Sequence, residues 1–328
     1  MLRQLATLSF NTFVESIRQP VFVVLVISGS IGLWFNTPLA AYTLENDNKL
    51  MIDLGLSTLF LTGLLLAAFT ATGVLSAEIE SGTVLTVISK PVARPLFVLG
   101  KYLGVAAALT LAYLALTMVY LLNIRHQVMQ TARDNIDWPV LAFAFGAFGL
   151  STLIAAGGNY LYHWVFTSTF TVYYAILNSL AWLLVLVINK NWEFQSIATE
   201  FIKQGGHLFQ VLIALVMLFE AILILTAVAV LVSIRVGQVM TMVICFAVFL
   251  LGLVSNSLYN PAASEQHILA VLLYWIAPNL QYLWQADALT AGHAISASHV
   301  LFVSCYSILY IAAILFLSIS LFQTREVG

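Results

Sequence analysis

Charge is the scarcest feature of this chain. Asp, Glu, Lys and Arg make up 8% of its 328 residues, against about one quarter in a soluble domain. So few charges cannot cover a water-facing surface, which excludes a soluble globular protein. The 12 Lys and Arg and 14 Asp and Glu give a formal net charge of −2. With no basic excess, no nucleic acid is expected as a partner. The 2 cysteines, Cys245 and Cys305, both sit inside apolar runs. They supply neither a disulfide framework nor a metal-ligand spacing. His126, His163, His207, His267, His293 and His299 are scattered, with no His-x3-His pair. A phosphate-binding Gly-x4-Gly-Lys-Ser/Thr loop is missing, because Gly100-Lys101 is followed by Tyr102 and has no upstream glycine. No serine sits in a Gly-x-Ser-x-Gly elbow. No catalytic residue, cofactor or metal is therefore assigned to this chain.

Apolar residues are what the chain has in abundance: 62% of the total, with a mean hydropathy of +1.00. Eight runs approach the ~20 residues that cross ~30 Å of hydrocarbon. They are about Val21–Phe35, Leu54–Leu75, Tyr102–Leu122, Pro139–Gly158, Thr169–Ile188, Val211–Ser233, Gly237–Ser257 and Val300–Phe322. Only helices fit, since each segment must satisfy its own backbone in lipid. The expected fold is an all-α integral membrane protein, one transmembrane domain over residues 1–328 with about eight transmembrane helices.

Residues 1–19 place Leu2, Leu5, Leu8, Phe13 and Ile17 between Arg3, Asn11, Glu15 and Arg18. That spacing predicts an amphipathic interfacial helix, set off from the first span by Pro20. A signal peptide fits less well, because the polar lead-in is long and carries Glu15. An even number of spans puts both ends of the chain on one side. Arg3, Arg18, Lys90, Arg94, Lys101, Arg235 and Arg325 fall on that side, and Lys49, Arg125, Arg133, Lys190 and Lys203 on the other. The positive-inside rule then makes the terminal side cytoplasmic.

The densest cluster of charges lies in residues 77–101, with Glu78, Glu80, Lys90, Arg94 and Lys101. Gly82 breaks the incoming segment and Thr83 can cap a short helix over Val84–Ser89. Pro91 stops that helix, and Pro95 suits the first turn of the next. The chain is thus expected to leave the membrane, form a short helix across its own path and re-enter. Apolar Val84, Leu85, Val87 and Ile88 would supply contact area on such a helix, and the charges would orient it. A solvated loop that merely marks the membrane boundary is the alternative.

Within residues 258–299, the apolar stretch Ile268–Ala277 is too short to span and Pro278 closes it. It is expected either as a re-entrant hairpin or as an amphipathic helix on the outer surface. Tyr160, Tyr162, His163 and Trp164, between the fourth and fifth spans, read as an aromatic interface belt. Glu220 is the one acid inside a span. At that depth a carboxylate must face protein or water. It is either a polar contact in a translocation path or a protonated carboxyl hydrogen-bonded to a neighbouring helix.

Taken together, Glu78, Glu80-Ser81-Gly82-Thr83, Lys90-Pro91, Arg94 and Leu99-Gly100-Lys101 resemble the coupling region of ABC-2 type permeases, the membrane subunits of a class of ABC transporters. Asn11-Thr12-Phe13 through Arg18-Gln19-Pro20-Val21-Phe22 looks like that family's first helix and first span. Ser233-Ile234-Arg235 and Pro278-Asn279-Leu280 resemble its C-terminal third and outer hairpin. The resemblance covers about residues 1–123 and 207–328. The family usually has six spans, and here residues 138–188 look like an inserted helical pair.

The resemblance implies a permease subunit that works as a homodimer or heterodimer. A separate cytoplasmic ABC ATPase subunit would carry the ATP and Mg. The coupling residues it implies are Glu78, Glu80, Ser81, Gly82, Thr83, Leu85, Ile88, Lys90, Pro91, Arg94 and Lys101. Its expected location is a cell membrane, as a multi-pass protein of the bacterial inner membrane, exporting or extruding an unidentified substrate. Two other classes compete. One is a membrane anchor or assembly factor that transports nothing. The other is an ion-coupled carrier, which rests on Glu220 alone.

Overall fold

The computed structural model describes residues 1–42, 47–80, 93–129, 135–198, 201, 207–258 and 268–324. Among them the regular elements are helical, apart from an isolated antiparallel bridge between Ile188 and Phe194. In chain order these are α1 (Leu2–Arg18), α2 (Pro20–Ala40), α3 (Asp47–Glu80), α4 (Arg94–His126), α5 (Trp138–Tyr162) and α6 (Phe166–Val187). They continue with α7 (His207–Ser233), α8 (Gln238–Leu258), α9 (Ile268–Ile276), a 3-10 turn (Leu280–Tyr282), α10 (Ala286–Thr290) and α11 (Ala297–Gln323). Eight of the described helices, α2 to α8 and α11, are long and apolar enough to cross a membrane. The eight expected runs each lie on one of these.

Helix ends differ from the apolar runs because backbone hydrogen bonding continues through polar residues. Pro20 and Pro95 each sit in a first turn, where a missing N–H leaves no bond unmade. α2 passes Phe35 and continues to Ala40 through Pro38. An internal proline removes a helical hydrogen bond. Just before it, Asn123 of α4 donates to the Leu33 carbonyl and accepts from Thr37 Oγ1. α3 has 34 residues and α4 has 33. At 1.5 Å per residue each is about 50 Å long, some 20 Å more than the hydrocarbon needs. The two helices flanking residues 81–93 therefore reach well beyond a bilayer core.

α7 and α4 form the centre of the bundle, with 67% and 61% of their apolar windows buried, while α11 at 17% and α8 at 22% lie on its perimeter. Tyrosines tie the centre together: Tyr113 of α4 donates to the Leu215 carbonyl of α7 at 2.7 Å, and Tyr120 donates to the Ile52 carbonyl of α3 at 3.1 Å. α6 packs on α4 and also touches α1 and α2, while its pair mate α5 packs mainly on α6. The pair is pinned at one end by a buried ion pair, Arg125 Nη1 to Asp137 Oδ2 at 3.2 Å. Asp137 also accepts from Val140 N at 3.3 Å, capping α5.

α1 lies against α4. Its enclosed face carries Leu5, Leu8, Thr12, Ser16 and Ile17, an i, i+3, i+4 spacing, while Leu2, Arg3 and Phe10 are exposed. Close approach depends on Gly104, where a Cβ would stand 2.4 Å from Thr12 Cβ and 2.5 Å from the Ser9 carbonyl. At the other end of the bundle, residues 278–291 turn inward. Leu280, Leu283 and Ala286 are fully buried. Asn279 donates through its backbone N–H to Tyr306 Oη at 2.8 Å and through Nδ2 to Asn256 Oδ1 at 2.6 Å. α9 keeps Ile268, Leu272 and Trp275 exposed.

Candidate functional site

One end of the bundle gathers what the sequence assigns to the terminal side. Arg94 Nη1 donates to the Gln323 carbonyl at 2.7 Å. Arg235 Nη2 donates to the Leu321 carbonyl at 3.1 Å and to Thr324 Oγ1 at 2.8 Å. Two guanidinium groups from the start of α4 and the α7–α8 turn thus hold the C-terminal carbonyls of α11. The last carbonyls of a helix have no intrahelical N–H partner and form the negative end of its dipole; that of Leu321 also accepts from Thr324 Oγ1 at 3.1 Å. Phe97 and Phe322 stack between the same two helices, with centroids 5.3 Å apart.

Lys101 lies at the same end and is 4% exposed. Its Nζ stands 3.5 Å from Glu15 Oε2 and 5.7 Å from the centre of the Phe97 ring. A buried ammonium needs such partners, one ionic and one cation–π. Lys101 therefore holds α1 on α4, and its charge is turned toward Glu15. Nearby, Thr167 Oγ1 donates to the Arg18 carbonyl at 3.0 Å, bringing the start of α6 to the same end.

Of the other predicted coupling residues, Glu78 and Glu80 lie on the last turn of α3. Ser81, Gly82, Thr83, Leu85, Ile88, Lys90 and Pro91, with the expected short helix, lie outside the described residues. What the structure does bring together is the start of α4, the whole of α1, the end of α11 and the α7–α8 turn.

Glu220, in α7, accepts a hydrogen bond from Ser304 Oγ of α11 at 2.7 Å. Its Oε2 is buried and has no hydrogen-bond partner among the described residues. The contact to a neighbouring helix was one of the two expected arrangements. Cys245 is buried and Cys305 exposed, both as free thiols. No cluster of three or more metal-ligating side chains occurs among the described residues. Tyr160, Tyr162 and Trp164 are exposed at the α5–α6 turn, with Tyr162 and Trp164 stacked 5.4 Å apart.

Sequence reasoning missed the Glu15–Lys101 pair, the Arg125–Asp137 pair and the Arg94–Arg235 cap. The first joins residues 86 apart in the chain, which leaves no local spacing to read. The α1–α4 contact did leave a signal, Gly100-x3-Gly104, a small-residue spacing that permits close helix approach. No protein-family model matches the chain, and no curated protein matches it.

Proposed function

We propose that this chain is the membrane subunit of an ATP-driven transporter, an ABC-2 type permease that moves an unidentified substrate with the energy of a separate cytoplasmic ATPase. The observation that carries this reading is the Glu78 to Lys101 pattern, set between two helices that outreach the hydrocarbon. A soluble motor needs a handle outside the bilayer, and α3 and α4 continue past their apolar runs toward residues 81–93 by about 8 and 12 Å.

The contacts around that handle give the push a route. A displacement at residues 78–93 enters α4 at Arg94. From there it passes to α11 through the Gln323 carbonyl and the Phe97–Phe322 stack. It passes to α1 through Lys101 and the contact at Gly104. α4 also carries it across the bundle to α7 and α3 through Tyr113 and Tyr120. Rigid, packed elements of this kind transmit displacement better than a solvated loop would. A homodimer or heterodimer of permeases with two ATPase subunits is the assembly proposed.

The test is co-expression with a cognate ABC ATPase. A stable complex is expected, and the double variant E80A/G82A lowers its coupled ATP hydrolysis while the complex still forms. If residues 78–93 can be replaced by a Gly/Ser linker of equal length with no loss of complex or coupling, the assignment is wrong. An ion-driven carrier is the second reading, favoured only by the unpartnered oxygen of Glu220. Transport that survives E220Q and a collapsed proton gradient removes it.

A further inference from the structure

At the end of the bundle opposite α1, a cleft of about 620 Å³ opens between α3, α8 and the segment leading into α10. Its deeper wall is aromatic. Phe60 of α3 stacks on Trp284 with centroids 5.9 Å apart and meets Phe249 of α8 edge-on at 4.9 Å. Phe246 continues the row, 6.0 Å from Phe249. Its lining also carries two carboxylates on different elements, the half-buried Asp53 of α3 and the exposed Asp287 of α10.

No basic residue lines this cleft, and among the described residues no base forms an ion pair with either aspartate. Lys49, one helical turn from Asp53, lines a different cleft with Gln127 and Gly292. Two like charges sharing a small, partly enclosed space each raise the other's cost, and a cation between them relieves both. Aromatic faces attract organic cations through their quadrupoles, more strongly where water is excluded. Asp53 precedes Phe60 by two turns along α3, and exposure falls from Asp287, exposed, through Asp53, half-buried, to Phe60, buried, so the charges lie nearer the solvent than the aromatic surface.

From this juxtaposition we infer that the cleft between α3, α8 and α10 binds a small amphiphilic organic cation, its positive centre between Asp53 and Asp287 and its apolar body along Phe60, Phe249 and Trp284. The inference gives the proposed transporter a substrate class and rests on that reading for its physiological meaning, but binding itself needs no motor.

The experiment uses the purified full chain without ATPase, in neutral maltoside micelles. The probes are tetraphenylphosphonium and tetraphenylborate, ions of like size and shape and opposite charge. Saturable binding of the phosphonium and none of the borate is expected. D287N and W284A should each weaken phosphonium binding about tenfold, in line with the loss of one desolvated cation contact. D53N/D287N should abolish it. Asp287 is exposed, so D287N tests the site even if changes at the half-buried Asp53 impair folding, and the thermal unfolding midpoint of each variant reports that. Equal binding of the two ions, or unchanged phosphonium affinity in folded D287N and W284A, overturns the inference. Loss of ATPase coupling with cation binding intact would count against the transporter reading alone.

Discussion

Lys101 shows how a charge can sit at the edge of a membrane bundle without serving as a surface group. Its side chain is 5% exposed while that of its partner Glu15 is 43% exposed, so the two ends of this ion pair are not equivalent. Removing the acid takes the ion-pair partner from a buried ammonium, which keeps its contact with the Phe97 ring. Replacing the lysine by Met keeps the volume and leaves a carboxylate that water can reach. E15A is therefore expected to lower the thermal unfolding midpoint more than K101M. The cost of E15A should be about 1–2 kcal/mol, below the 3–5 typical of a fully buried pair because Glu15 is half in water. Equal effects of the two would show that burial of Lys101 is not what the pair serves.

Arg125 and Asp137 are the opposite case, with side chains 7% and 1% exposed. D137A should lower the thermal unfolding midpoint, since it removes the ion-pair partner of a buried guanidinium and also uncaps α5. The double variant R125M/D137N, whose Asn can still cap α5, should recover a large part of that loss. A thermal-unfolding mutant cycle measures the difference, and additive losses would contradict it.

At the scale of elements, the join between α1 and α4 depends on the absence of a side chain at Gly104. In G104V the added atoms would collide with Thr12 and the Ser9 carbonyl, and α1 has to lift away. Limited proteolysis should then cut within residues 1–19 of G104V and spare the parent chain; equal protection would place the join elsewhere. At the end of α11, the double variant R94A/R235A leaves the carbonyls of Leu321 and Gln323 without those donors. Amide exchange over residues 317–323 should rise while the middle of α11 stays protected. No change there would mean water serves the carbonyls as well.

These same elements show what a sequence carries. The eight spans were legible because a run of about 20 apolar residues has few other uses. Their ends were not, because α3 starts at Asp47 and α4 ends at His126, and no change of hydropathy marks where helical hydrogen bonding stops. The first turn at Pro95 was legible from a proline's fixed geometry, while Pro20, read only as a break before Val21, opens α2 itself. The packing partner of the α5–α6 pair was not, since Arg125 and Asp137 look like ordinary loop charges until α5 folds back on α4. Nor were the residues around the cation cleft: Asp53, Trp284 and Asp287 lie on segments that only the tertiary fold brings together.

The whole molecule has two differently built ends. The end with α1 is fastened by cations: Lys101 to Glu15, and Arg94 and Arg235 to the last carbonyls of α11. The opposite end is fastened by buried apolar turns over residues 280–289 and by the Asn279–Asn256 contact, and it presents the acidic cleft. A transporter driven from below needs this polarity: a firm inner end that receives a push and a ligand-accepting outer end. Glu78 and Glu80 at the close of α3 mark where the push would enter.

The side of the membrane on which residues 78–93 lie decides the account. A single cysteine at Thr83, in a chain with Cys245 and Cys305 replaced by alanine, can be challenged in intact cells with a membrane-impermeant maleimide. A cysteine at Asn191, in the α6–α7 connection, serves as the opposite marker. The account predicts labelling at 191 in intact cells and at 83 only after the membrane is opened. Labelling at 83 from the outside medium would put the handle beyond the reach of any cytoplasmic ATPase and contradict it.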